Sequence, residues 1–118
     1  MGVYIFQSLY APYIKIGHYQ GENAFSRVAH RGFYSCSCPL EISQKVSMQD
    51  LMLIAWFPHQ TRKTEQVIKK KWKLFRYKKS EWMSLDKLNE ILSFLETLEP
   101  NQAHQCDPFD ALLTRRRL

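Results

Sequence analysis

Glu65 is the one acid in a run of twenty residues, Thr61 to Ser80, that holds nine bases. At helical spacing it shares a face with Ile68 and Trp72, and Phe75 continues that apolar stripe. A carboxylate at the edge of a buried face amid positive charge suits a divalent metal used in phosphoryl chemistry. Mg²⁺ is typically held by one or two carboxylates together with phosphate oxygens and waters. The plainer alternative is an i,i+4 ion pair with Lys69, worth only about 0.2–0.5 kcal/mol.

Tyr4 and Lys15 form a second constellation. A lone strand tyrosine packs and a lone strand lysine protects an edge. Placed side by side over a phosphate, either could take a proton from an attacking water, the tyrosine helped by the lysine's charge. His18 follows Lys15 by three residues, near enough to join such a relay, and otherwise reads as a surface loop histidine. Arg27 carries a fixed fork of donors that could grip a scissile phosphate.

The charge distribution narrows the class of partner. The net charge is +6, but residues 1–60 carry four Lys/Arg against three Asp/Glu, and residues 81–100 carry one against five. The excess is concentrated in residues 61–80. A phosphate backbone selects such a stretch through Coulomb attraction and counterion release, and a solvated lysine face is the plain alternative. On the nucleic-acid reading, Arg31, Arg62, Lys63, Lys69, Lys70 and Lys73 are the expected phosphate contacts and DNA the expected partner. The longest apolar run, Leu51 to Phe57, is too short to span a bilayer, and the N-terminus does not read as a signal peptide. Three cysteines without an export signal point to reduced thiols in a cytoplasmic or similar compartment.

These groups need a scaffold that brings them together. Residues Gly2 to Gly17 read as a β-hairpin, Val3 and Ile5 alternating with Tyr4 and Phe6, and Ile14 and Ile16 with Tyr13 and Lys15. Pairing Val3 with Ile16 and Ile5 with Ile14 gives one aliphatic face. It sets Tyr4 opposite Lys15 and Phe6 opposite Tyr13 on the other. Glu22 to His30 can form a short helix containing Arg27, and Gly32 to Met48 reads as irregular loop. Leu51 to Phe57 is expected as a buried central strand. A helix capped by Thr61 should run to about Phe75, and another, capped by Ser84, to about Leu98 before Pro100. The order predicts a small α+β domain, a three-stranded, mostly antiparallel sheet flanked by helices, over residues 1–99. Residues 100–118 read as a C-terminal tail, partly ordered at best, ending in Arg115, Arg116 and Arg117.

Gly2-Val3-Tyr4, then Lys15-Ile16-Gly17, then Arg27 and a later helical Glu65 resemble the GIY-YIG nuclease superfamily. Thr64-Glu65, with Glu81-Trp82-Met83 after a basic helix, is similar to its phage- and virus-associated branch. The resemblance covers roughly residues 1 to 95 and implies a GIY-YIG-like fold and metal-dependent hydrolysis of DNA phosphodiester bonds. It implies that Tyr4 helps activate the water, Arg27 grips the phosphate, Glu65 binds Mg²⁺ or Mn²⁺, and His18 stands beside the water. Lys15 occupies the place of the second motif's tyrosine, which leaves the general base open between Tyr4 and Lys15.

Two other readings come from different classes. One is a non-catalytic nucleic-acid-binding module on the same scaffold; the other is an interaction domain whose lysine helix meets an acidic partner. Cys36, Cys38, His104 and Cys106 could supply four zinc ligands, though their spacings are not the C-x₂-C type. Leu85, Leu88, Leu92 and Leu95 form a stripe that packs on the chain's own core or supports a homodimer.

Overall fold

The computed structural model describes residues 2–8, 11–20, 42, 44, 51–77 and 80–103. Within them, strands β1 (Gly2–Ser8), β2 (Tyr13–Tyr19), β3 (Leu51–Phe57) and β4 (Trp82–Ser84) form one sheet in the order β3-β1-β2-β4, every neighbouring pair antiparallel. Helices α1 (Arg62–Lys71) and α2 (Leu88–Glu96) complete an α+β fold. The fourth strand corrects the expected three: β4 is three residues long, too short to display an alternation, and pairs with Tyr13 to Lys15 of β2.

The hairpin forms with a register two residues away from the expected one. Tyr4 lies opposite Gly17, Ile5 opposite Ile16 and Phe6 opposite Lys15. A shift of two preserves every side chain's face, so the division into an aliphatic and an aromatic face holds while the expected cross-strand partners do not. Gly17 supplies a reason. A Cβ there would come within 2.5 Å of Tyr4 Cζ, so the phenol ring occupies the space that glycine leaves.

The two sheet faces bury different chemistry. Val3, Ile5, Ile14, Ile16, Ala55, Phe57 and Met83 pack under Ile68 and Trp72 and under Ile91 and Leu95 of α2. Tyr4, Phe6, Tyr13, Leu51, Leu53, Trp56 and Trp82 form the other cluster, with Ile42 and Ala103. A register shift between Ile5 and Phe6 in the β1–β3 pairing passes over Ile54. It turns Leu51 and Leu53 to one face and Ala55 and Phe57 to the other, as an inserted strand residue does. Trp72 and Trp82 are both buried, 8% and 1% exposed, and pack in the two clusters.

The apolar run of β3 was expected at the sheet centre and lies at its edge. Its outer side is nevertheless covered. Asn101 Nδ2 donates to Ile54 O at 2.9 Å, Asn101 Oδ1 accepts from Trp56 N at 3.0 Å, and Gln102 N donates to Trp56 O at 2.9 Å. The side-chain amide of Asn101 thus imitates a neighbouring strand and shields an edge that would otherwise invite pairing. These residues begin the segment read as a tail; Arg115 to Arg117 lie outside the described residues.

Helix α1 starts as its sequence dictates. Thr61 Oγ1 accepts from Lys63 N at 3.3 Å, Glu65 stands in the first turn, and Lys69, Lys70 and Lys71 fill the last, the arrangement the helix dipole favours. The helix ends earlier than expected, Trp72 N still bonding to Ile68 O, and a 3₁₀ turn over Lys73–Phe75 follows. Phe75 therefore leaves the buried stripe: it is 38% exposed, with Lys87 Nζ 4.3 Å from its ring centroid. Ser84 caps not α2 itself but the 3₁₀ turn Leu85–Lys87 before it, accepting from Asp86 N. Among the described residues no helix is long and apolar enough to cross a membrane.

Candidate functional site

A chain of alternating charges runs from the sheet to α1. Lys15, on β2 and 2% exposed, donates from Nζ to the Tyr4 hydroxyl at 2.8 Å and pairs with Glu81 Oε2 at 2.5 Å. Glu81 Oε1 lies 3.7 Å from Lys69 Nζ, and Lys69 in turn pairs with Glu65. Diagonal placement across the hairpin, rather than the expected direct opposition, brings Lys15 to Tyr4, and the ammonium also stands 5.1 Å from the phenol centroid. Glu81 is the member that site reasoning missed. It belonged to the Glu-Trp-Met step singled out in the sequence, but its partner Lys15 is 66 residues away, and no local spacing reveals such a pair.

Glu65 lies on the buried side of α1, 6% exposed, on one face with Ile68. Both readings of it meet here: it makes the i,i+4 pair with Lys69, and it borders an open cleft of about 560 Å³. From α1 the cleft receives Arg62, Gln66, Lys69 and Lys70 beside Glu65, and from the turn beyond it Lys73 and Arg76. Glu81 and His18 complete its walls. Five cations thus face two carboxylates, a surplus that draws anions rather than free metal ions. Of the expected phosphate contacts, Arg62, Lys69, Lys70 and Lys73 come together here. Lys63 is exposed and does not line the cleft. Arg76 was not foreseen; its Nε donates to Ser80 O at 2.6 Å.

His18 does not join the Tyr4–Lys15 relay. It pairs across the hairpin with Val3, so by strand alternation its side chain belongs to the face of α1, opposite that of Lys15. There it lines the cleft with Glu65. Burial pushes its imidazole below the ordinary value of 6.5, with Arg62 acting in the same direction and Glu65 against it. Both ring nitrogens are shielded from solvent and find no hydrogen-bond partner among the described residues. An imidazole so placed gives up about 1–3 kcal/mol of hydration, which a water or cation brought to it would restore.

Among the described residues no three His, Cys, Asp or Glu side chains gather as a metal site. A single carboxylate, Glu65, meets the modest demand of an ion that keeps waters and phosphate oxygens as its remaining ligands. The residues present therefore fit such an ion. Arg27 and Arg31, and the Cys36, Cys38, His104 and Cys106 set, lie outside the described residues. Comparison of the chain with protein-family models, with characterised proteins and with solved structures finds no match.

Proposed function

We propose that the chain is a metal-dependent endonuclease that hydrolyses DNA phosphodiester bonds, of the GIY-YIG kind its motifs resemble. The observation that carries this reading is the cationic cleft itself. It holds a buried carboxylate, Glu65, and a neutral, unbonded imidazole, His18, among five cations. Arg62, Lys70 and Lys73 would draw the phosphate backbone to the cleft, with Lys63 adding attraction outside it. Glu65 would hold Mg²⁺ or Mn²⁺, which when bound supplies Lewis-acid stabilisation of the phosphoryl oxygens.

Tyr4 and Lys15, the two groups between which the sequence leaves the general base open, are 1% and 2% exposed and do not line the cleft. We assign them the positioning of Glu81 and give the proton of the attacking water to His18. Burial keeps that imidazole neutral and able to accept it. Lys69 would balance charge developing on the phosphate when it leaves Glu65, and Arg27 would add its fork. We place the chain in a cytoplasmic or similarly reducing setting, as expected from its three cysteines.

One observation favours the non-catalytic alternative: Glu65 is already neutralised by Lys69. Supercoiled plasmid incubated with Mg²⁺ or Mn²⁺, with EDTA controls and the Glu65→Ala variant, separates the two. The endonuclease reading expects nicking that needs metal and is lost in Glu65→Ala. Salt-sensitive binding without cleavage of plasmid, single-stranded or branched DNA would leave only the binding module.

A further inference from the structure

The turn that follows α1 carries the most exposed large apolar side chain among the described residues. Leu74 is 87% exposed, whereas Phe75 beside it is 38% exposed and lies under the Lys87 ammonium. An isolated surface leucine is ordinary. This one differs in how it is held and in what flanks it. Behind it, Trp72 is buried, with Nε1 donating to Glu90 at 3.4 Å. The 3₁₀ turn is closed by Phe75 N to Trp72 O at 3.0 Å and Arg76 N to Lys73 O at 3.3 Å. Ahead of it, Arg76 bridges to Met83 and Tyr77 N donates to Trp82 O at 2.9 Å. A segment fastened at both ends therefore presents one bare leucine at its crest.

Lys73 and Arg76, on either side of that crest, both line the cationic cleft. Leu74 itself does not line the cleft, so a duplex drawn to these two cations would meet the leucine where it runs past the cleft over the turn. Proteins that bend DNA use this pairing of cations with a protruding Leu, Ile, Phe or Met, which enters between base pairs and partly unstacks them. We propose that Leu74 is a wedge that inserts into duplex DNA bound at the cleft, so that the preferred substrate is duplex containing an easily unstacked step. Pyrimidine–purine steps, mismatches and nicks are the cheapest to open. The inference rests on the DNA reading above and names which DNA that site takes.

The test uses the whole chain in EDTA, which suspends cleavage. It is mixed with a short duplex carrying 2-aminopurine at a central TA step, and both anisotropy and 2-aminopurine emission are read. Wild type should bind with a rise in emission. Leu74→Ala should bind roughly tenfold more weakly, the scale of one leucine's burial, with the rise abolished and the dependence on salt unchanged. Leu74→Met should keep both. Equal affinity and emission for wild type and Leu74→Ala would overturn the wedge and leave the nuclease reading standing. Failure of wild type to bind duplex at any salt would overturn both. A self-association of the protein that Leu74→Ala abolishes, with DNA binding intact, would assign the leucine to a second copy and overturn the wedge.

Discussion

Glu81→Gln should destabilise the protein more than removal of the buried lysine that Glu81 serves. The variant keeps the size of the side chain and takes away its charge. Lys15 then keeps its ammonium in a place where it is 2% exposed, held by the neutral Tyr4 hydroxyl but facing no full negative charge at Glu81. Removing one partner of a buried pair costs about 3–5 kcal/mol. The Glu81 side chain is 32% exposed, so part of the attraction is already screened, and about 2–3 kcal/mol is the expected loss.

Lys15→Met reverses the situation. Glu81 is left at the surface, with water and Lys69 at 3.7 Å to serve it. The loss falls instead on the Tyr4 hydroxyl, deprived of its 2.8 Å donor, at about 1–2 kcal/mol. The double variant Lys15→Met/Glu81→Gln contains no buried charge to strand, so it should be more stable than Glu81→Gln alone. Adding Tyr4→Phe to Lys15→Met should recover about 1 kcal/mol more by removing the orphaned hydroxyl. Urea unfolding followed by tryptophan emission, with Trp82 1% exposed in the core, measures all of these. A double variant whose loss equals the sum of its two singles would refute the reasoning, because independent sites add and a stranded charge does not.

Two further outcomes follow from single positions. Gly17→Ala places a methyl group against the buried Tyr4 ring and should cost about 1–3 kcal/mol by overpacking. Combining it with Tyr4→Leu should relieve much of that loss, and a Gly17→Ala protein as stable as wild type by thermal melting would exclude the contact. For His18 the folded imidazole is lowered from 6.5 by burial, so the unfolded chain takes up its proton first as pH falls. Its contribution to stability is complete above 6.5 and is lost as pH drops through the lowered folded value. Between pH 7 and 5 the wild type should lose more stability than His18→Phe, and parallel curves in EDTA would contradict the burial of a neutral ring.

What the sequence made legible was face and element type; what it hid was register and distance. Alternation in Val3 to Phe6 and Tyr13 to Ile16 gave the two faces correctly, because an error of two residues leaves them unchanged. It could not reveal that Tyr4 needs glycine opposite, since that depends on where a ring lands. Trp82–Ser84 is too short to carry a period. The run Leu51 to Phe57 suggested a central strand because unbroken apolarity signals burial on both faces, and burial at an edge requires a cover. Asn101 provides it 45 residues from its Trp56 partner, where no pattern links the two. In the site, the helical period brought out Glu65 and its two possible partners, a metal or Lys69. Nearness in sequence placed His18 with Lys15, but the two are three residues apart on one strand, an odd separation that sends them to opposite faces.

The charges around the cleft divide into two sets with different physics. Lys15, Glu81, Lys69 and Glu65 alternate in sign and cancel. Lys15 and Glu65 are buried, so this inner chain is only weakly screened by salt. Arg62, Lys70 and Lys73 are exposed on the rim, and with the half-buried Arg76 they supply the whole surplus of positive charge. On the proposed DNA reading, long-range attraction of a phosphate backbone would come from side chains whose removal should leave the fold almost unchanged, since exposed charges contribute little to stability. The inner chain sets the position of Glu65 and depends on the short β4 that carries Glu81 to its place. Ile16 N bonds to Glu81 O at 3.0 Å, fixing that residue where the β2–β4 ladder ends.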